Sequence, residues 1–100
     1  MSPTKKHLHY EWDEDKDIIN QLKHQGLGFA DAISAFNDPQ FMSMYDPDHS
    51  VDEDRFIALG RDSTGQILLV SFTLRGDDEH IRLISARKAT KHEEKQYYSG

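Results

Sequence analysis

Basic side chains collect where one predicted strand gives way to a helix. In HIRLISARKATKHEEKQYY, residues 80–98, apolar residues are followed by Arg87, Lys88, Lys91 and His92. Arginine presents a permanent charge on a planar fork that matches a phosphate group, and histidine exchanges protons near neutral pH. This segment therefore contains the residue types that bind a phosphate ester and carry out acid–base chemistry.

The basic segment stands out because the chain as a whole is acidic, with a net charge of −6. Residues 1–54 contain 4 Lys or Arg against 12 Asp or Glu, a balance of −8, whereas residues 55–100 contain 8 against 6, a balance of +2. Phosphate contacts need local positive charge, so we expect a polyanion to bind the second half. The acidic first half would instead attract a basic partner protein.

Composition narrows the class of protein. One hundred residues correspond to a single domain, 1–100. With no cysteine there is neither a disulfide nor a thiolate metal site. The longest aliphatic run, residues 67–70, is too short to span a bilayer, and the N-terminus lacks an apolar signal stretch, so we expect a cytoplasmic protein without a membrane partner. His7 and His9 share one side of a predicted strand but lack a third ligand, so we expect no metal or other cofactor.

The first half predicts a short strand followed by two helices. The strand covers residues 7–12. Asp13 suits the N-cap of the first helix, Lys23 and His24 suit its last turn, and Gly26 ends it; its apolar stripe is Ile18, Ile19 and Leu22. The second helix has apolar residues at the spacing i, i+3, i+4 and i+7, namely Phe29, Ala32, Ile33 and Phe36.

The second half predicts a sheet and a final helix. Strands at 41–45, 55–61, 66–75 and 80–87 are separated by polar segments, and short turns favour antiparallel hairpins. Thr90 and Glu93 form a capping box that begins a C-terminal helix. The predicted fold is a small α+β domain: a mainly antiparallel sheet with two N-terminal helices packed on one face and a C-terminal helix.

The hairpins predict where the arginines lie. If the turn at 62–65 brings Arg61 opposite Ile67, and the turn at 76–79 brings Ile67 opposite Arg87, both arginines share one face and one end of the sheet. Two strand spacings are about 10 Å, so the two guanidinium groups would converge on one phosphate or on two adjacent ones. The alternative for each arginine is a surface ion pair with a neighbouring carboxylate.

The same hairpins divide the two faces of the sheet. Even-numbered apolar residues, namely Phe56, Ala58, Leu68, Val70, Phe72, Leu74, Ile84 and Ala86, would face the two N-terminal helices. The face that carries the odd-numbered residues of the third and fourth strands, hereafter the odd face, would be the working surface, with Ser71, Thr73 and Ser85.

Six ordered motifs resemble the BrnT family of bacterial toxins. They are YEWDEDK (10–16), NQLKHQG (20–26), FADAISAFNDP (29–39), DPDHS (46–50), RFIALGR (55–61) and IRLISARKAT (81–90). The resemblance extends over nearly the whole chain. Two positions depart from the family pattern: Gln25 stands between His24 and Gly26, and Leu74 stands where the family often has a glutamate.

This resemblance implies a RelE-like fold and a metal-independent endoribonuclease that cleaves RNA and inhibits translation. It also implies a partner, a BrnA-like ribbon-helix-helix antitoxin. The complex would repress its own operon, and this chain would contact DNA only indirectly, through the antitoxin. RNA cleavage without a metal requires a base, an acid and cations that stabilise the phosphorane. We expect Arg61 and Arg87, and after them Arg75, to stabilise the negative charge of the phosphorane. We expect His24 to be the general base and Lys88 to take part in a second proton transfer.

A non-enzymatic alternative has its own support. The acidic total and the loss of a carboxylate at Leu74 favour a catalytically weak, toxin-like binding module that holds an antitoxin and tunes repression. Expression of the chain alone in bacteria distinguishes these hypotheses, because only the enzyme would arrest growth.

Overall fold

Five strands form one mixed sheet in the order β1-β5-β4-β3-β2. A computed structural model describes residues 8–75 and 79–100, so His7 and most of the predicted turn at 76–79 lie outside the described residues. The strands are β1 (His9–Glu11), β2 (Met42–Tyr45), β3 (Arg55–Arg61), β4 (Ile67–Arg75) and β5 (His80–Lys88); the helices are α1 (Glu14–Lys23), α2 (Phe29–Ile33) and α3 (Lys91–Ser99). β1 runs parallel to β5, and the other pairs are antiparallel. The α+β class is confirmed.

The predicted helix caps are present. The Asp13 carboxylate accepts hydrogen bonds from the backbone N–H of Asp15 at 2.8 Å and of Lys16 at 3.2 Å. At α3, the Thr90 hydroxyl and the Glu93 carboxylate cap each other's backbone N–H groups at 3.2 and 2.9 Å. These contacts satisfy N–H groups that a helix leaves without partners. None of the helices in the described ranges is long and apolar enough to cross a membrane.

Helix α1 packs with its polar side inward, contrary to the expected burial of its apolar stripe. Ile18, Ile19 and Leu22 are 54%, 49% and 81% exposed, whereas Asn20 is 5% exposed. The Asn20 amide donates to the carbonyl of Ala86 at 2.8 Å and accepts from its N–H at 3.1 Å. β1 pairs with β5 only through residue 82, so the backbone of β5 beyond that point needs another partner. Asn20 supplies it.

A β-bulge changes which residues of β5 enter the core. Phe72 pairs with Leu83 but Ser71 pairs with Ser85, so Ile84 has no partner in β4. The core on the helix-covered face consists of Phe29, Ala32, Ala35, Ala58, Leu68, Val70, Phe72, Ile81, Leu83 and Ala86. The prediction that Ile84 faces this core is therefore wrong, because the extra residue reverses the alternation within β5.

Helix α3 covers one end of the odd face. A second buried cluster joins Leu59 of β3 and Ile67 of β4 to Ala89 and Tyr97. On the opposite face, the turn at 34–37 after α2 packs against β3 so closely that a Cβ on Gly60 would lie 2.5 Å from the carbonyl oxygen of Ala35. Both contacts hold helical segments on the sheet and leave the middle of the odd face uncovered.

Candidate functional site

Three of the five predicted site residues line one notch between the end of α1 and the end of β5. The notch has a volume of about 260 Å³ and is lined by Lys23, His24, Gln25, Arg87 and Lys88. The bonds from Asn20 to Ala86 bring the two elements together one residue before Arg87. The structure therefore places His24 beside Arg87 and Lys88, although His24 precedes both by more than 60 residues in sequence.

The notch is rich in positive charge. Lys23 and Lys88 make no ion pair within the described ranges, so their charges are available to an anion. His24 ends α1, where its backbone N–H donates to the carbonyl of Asn20 at 2.9 Å. Gln25, the residue inserted relative to the family pattern, follows with a positive φ of 55°. The insertion is thus absorbed in the turn after His24 rather than in the helix.

Arg87 is held by a carboxylate. Its guanidinium donates to both oxygens of Glu93 at 2.8 and 2.9 Å, and to the carbonyl of Lys88 at 3.3 Å. The bond from Arg87 is the main reason why the pKa of Glu93 is lowered from 4.5 to about 2. The predicted alternative of an ion pair is therefore what the structure shows for this arginine. These bonds use three of the five N–H donors of the guanidinium, which leaves two for a ligand.

Arg61 and Arg87 share the odd face, as predicted, but each guanidinium group has its own hydrogen-bond partners. Arg61 pairs with Ile67 as expected, whereas Arg87 lies opposite Leu69. Arg61 donates to Gly65 at 3.1 Å and to the hydroxyl of Tyr98 at 2.9 Å, so each arginine is bound to a different part of α3. Arg61 thus binds the last turn of α3 and Arg87 its first turn, and a shared phosphate contact stays a prediction.

The fifth predicted residue, Arg75, lies at the other end of β4. It pairs with His80 across the sheet, and its guanidinium is 4.0 Å from the carboxylate of Glu53. Arg87 lines the notch and a second pocket on the odd face, and among the described residues the linings of these two pockets include neither Arg61 nor Arg75. The structure thus brings together three of the five residues and places the other two elsewhere.

A groove on the odd face adjoins the notch, and Arg87 lines both. Its volume is about 410 Å³, and its lining consists of Asp46, His49, Arg55, Ile57, Leu69, Ser71, Ile84, Ser85, Arg87 and Glu93. One wall is the loop after β2 with the start of β3, and the other is the end of β5 with α3. Between the walls lie two strand spacings, about 10 Å, which is room for a nucleotide phosphate. The sequence predicts Ser71 and Ser85 on this face.

The groove contains His49, which the sequence indicates only as a remote catalytic candidate. His49 Nδ1 lies 2.8 Å from a carboxylate oxygen of Asp46. The spacing of three residues between Asp46 and His49 could have indicated this contact, because a single turn of 3₁₀-helix, Pro47–His49, brings the two side chains together. Residues 46–54, DPDHSVDED, are so polar that their composition indicates only a solvated loop. Within the described residues no group of His, Asp and Glu side chains could hold a metal ion.

Comparison with known proteins identifies the class. Residues 12–93 match a family described as "Ribonuclease toxin, BrnT, of type II toxin-antitoxin system". The 1.1 Å crystal structure of the Brucella abortus ribonuclease toxin BrnT is similar in fold, with a TM-score of 0.60 and 29% sequence identity, over 84% of this chain and 99% of that one. No curated protein matches the chain.

The fold and the matched residues define a ribonuclease toxin of a type II toxin–antitoxin system. The chain belongs to the BrnT family, which confirms the resemblance seen in the six motifs. Membership of such a system implies an antitoxin as partner.

Proposed function

We propose that this chain is an endoribonuclease that cleaves RNA without a metal ion, inhibits translation in the cytoplasm, and shares its architecture with RelE-like ribonucleases. The observation that carries the proposal is the position of Arg87. It joins the groove to the notch, so that cations and histidines lie on both sides of one guanidinium group. A polyanion laid across Arg87 would contact Arg55 on one side and Lys23 and Lys88 on the other.

The roles follow from the chemistry of these side chains. Glu93 fixes the plane of the Arg87 guanidinium, whose two remaining N–H groups would bind the non-bridging oxygens of the scissile phosphate. Lys88 adds positive charge where negative charge builds during attack. His24, at the other side of the notch, would exchange a proton with the reacting ribose or with the leaving oxygen.

A cleavage assay in the presence of a chelator tests the proposal. The purified wild-type chain should cleave single-stranded RNA in EDTA, and Arg87→Ala should lose about a hundredfold or more of that activity, the size expected for one transition-state contact. Lys16→Ala is the matched control, because Lys16 is an exposed cation of α1 that lines neither pocket. Cleavage that disappears in EDTA, or that survives in Arg87→Ala, would contradict the proposal.

The antitoxin is proposed to be a BrnA-like ribbon-helix-helix protein that covers α1 and links the complex to operator DNA. The support is the exposed apolar stripe of Ile18, Ile19 and Leu22, which has no partner in the described part of the chain. Acidic residues in the first turn of α1 surround this stripe with negative charge, which fits a basic partner.

Binding of the co-encoded antitoxin to variants tests this surface. Leu22→Glu places a charge at the centre of the stripe and should weaken binding in a pull-down assay. Val51→Glu is the control, because Val51 is equally exposed, at 86%, but lies in the loop before β3. Equal binding by both variants would exclude α1 as the interface.

A toxin-like binding module is the second candidate. The observation in its favour is that Arg87 is already engaged by Glu93, which neutralises its charge in the free protein. Expression of the chain without its antitoxin separates the two functions: growth arrest supports the ribonuclease, and unhindered growth with intact antitoxin binding supports the module.

A further inference from the structure

We infer that His49, oriented by Asp46, is the group that takes the proton from the ribose 2′-hydroxyl in the odd-face groove. The inference rests on the proposed ribonuclease function and adds a catalytic residue to it. It replaces the sequence-based choice of His24 for this step and leaves His24 on the leaving-group side of Arg87.

The contact with Asp46 fixes which ring nitrogen of His49 can accept a proton. The carboxylate accepts the Nδ1–H of the ring at 2.8 Å, so the neutral ring carries its proton there and has its lone pair on Nε2. No bond to Nε2 exists within the described ranges, and the His49 side chain is 68% exposed at the rim of the groove. Nε2 is therefore free to meet a bound ribose.

The loop that carries His49 is tied to the sheet. The Ser50 hydroxyl donates to the carbonyl of Asp46 at 2.6 Å and accepts from the N–H of Arg55 at 2.9 Å. The N–H of Asp46 donates to the carbonyl of Arg55 at 2.8 Å. These bonds connect both ends of the loop to the first residue of β3, so the histidine and the carboxylate keep a fixed position relative to the groove.

The other charged groups of the groove are unsuited to this proton transfer. Arg55, from β3, and Arg87, from β5, carry guanidinium groups, which bind negative charge rather than exchange protons. Glu93, from α3, has its pKa lowered to about 2, chiefly by its bond to Arg87, which makes it too weak a base. Asp46 is engaged with the ring itself. His49 is the remaining titratable group of the lining.

The step balances without a further reactant. His49 Nε2 accepts the 2′-hydroxyl proton while the 2′-oxygen forms a bond to phosphorus. The bond from phosphorus to the 5′-oxygen breaks, and that oxygen receives one proton from the imidazolium of His24 on the notch side of Arg87, which His24 regains from solvent. The products are a 2′,3′-cyclic phosphate and a 5′-hydroxyl, and His49 returns its proton to solvent. Arg55 and Arg87 stabilise the extra negative charge of the phosphorane.

Single-turnover cleavage of a labelled RNA transcript by the full chain tests the inference. His49→Gln should cleave about a hundredfold more slowly or worse, the usual contribution of a general base. The fall in rate toward acid pH that we expect for the wild type should disappear in this variant. Binding of a 2′-O-methyl copy of the transcript, which has no 2′-hydroxyl proton, should be unchanged. Because His49 is exposed, free imidazole should restore activity to His49→Ala. Asp46→Asn should keep the acid-side fall in rate but react more slowly.

The matched control is His92→Gln, which removes an exposed histidine of α3 that lines neither pocket. If His49→Gln keeps the wild-type rate and pH profile while Arg87→Ala is inactive, the inference is overturned and the proposed function stands. If His49→Gln loses binding of the 2′-O-methyl RNA together with cleavage, its role is binding and the inference is overturned. Absence of cleavage by the wild type would overturn the proposed function and this inference with it.

Discussion

Replacement of Asn20 by alanine should destabilise the protein more than its small size suggests. The amide bonds the carbonyls of Leu27 and Ala86 at 2.9 and 2.8 Å and the N–H of Ala86 at 3.1 Å, and Asn20 is 5% exposed. Without it, both backbone groups of Ala86 lose their partner in a buried place, at about 1–3 kcal/mol each, while the Leu27 carbonyl reaches water. We therefore expect the free energy of unfolding to fall by about 2–6 kcal/mol.

Urea unfolding followed by circular dichroism measures this change. A domain of this size changes its Tm by roughly 4–8 °C per kcal/mol, so thermal unfolding should show the same effect. Gln21→Ala is the control, because Gln21 is exposed and bonds only the neighbouring Asp17 within the described chain; it should cost less than about 0.5 kcal/mol. If Asn20→Ala costs no more than Gln21→Ala, the amide does not complete the edge of β5, and the reasoning about the inverted helix fails.

Three further changes test other contacts. Because the pKa of Glu93 is lowered from 4.5 to about 2, its stabilising bond to Arg87 is complete above pH 4.5 and is lost as the pH falls through 2. Across this range the free energy of unfolding of the wild type should fall by about 1–2 kcal/mol more than that of Glu93→Gln, a value that allows for partial exposure of the pair. Denaturant titrations at each pH measure the difference. Gly60→Ala forces a Cβ against the carbonyl of Ala35 and should cost about 1–3 kcal/mol, whereas an unchanged Tm would show that the backbones separate freely. Arg61→Met should lower the Tm but leave RNA cleavage unaltered, because this arginine binds α3 rather than lining the groove; loss of cleavage in a folded variant would contradict that.

Alternation and turn chemistry were sufficient to predict the strands of the second half. The turn at 62–65 set the pairing of Arg61 with Ile67, and two polar caps set the starts of α1 and α3. These signals are local, since each depends on residues within about one turn or one hairpin of each other.

Nonlocal contacts account for what sequence reasoning missed. The bulge at Ile84 gives no signal in an alternating strand, yet it exchanges the faces of half of β5. The inward side of α1 is polar because the backbone of β5 at Ala86 needs hydrogen bonds, which Asn20 provides. The apolar stripe in the sequence of α1 does not indicate this need. Likewise, the strand register gives no sign that Arg61 and Arg87 bind different residues of α3.

The central claim is that Arg87 joins the groove and the notch into one RNA-binding surface. Nitrogen-15 NMR of the arginine side chains, during titration with a 2′-O-methyl oligonucleotide that cannot be cleaved, tests it most directly. We predict that the Nε signals of Arg87 and Arg55 shift together while that of Arg61 stays in place. Shifts at Arg61 with none at Arg87 would show that RNA binds elsewhere on the protein.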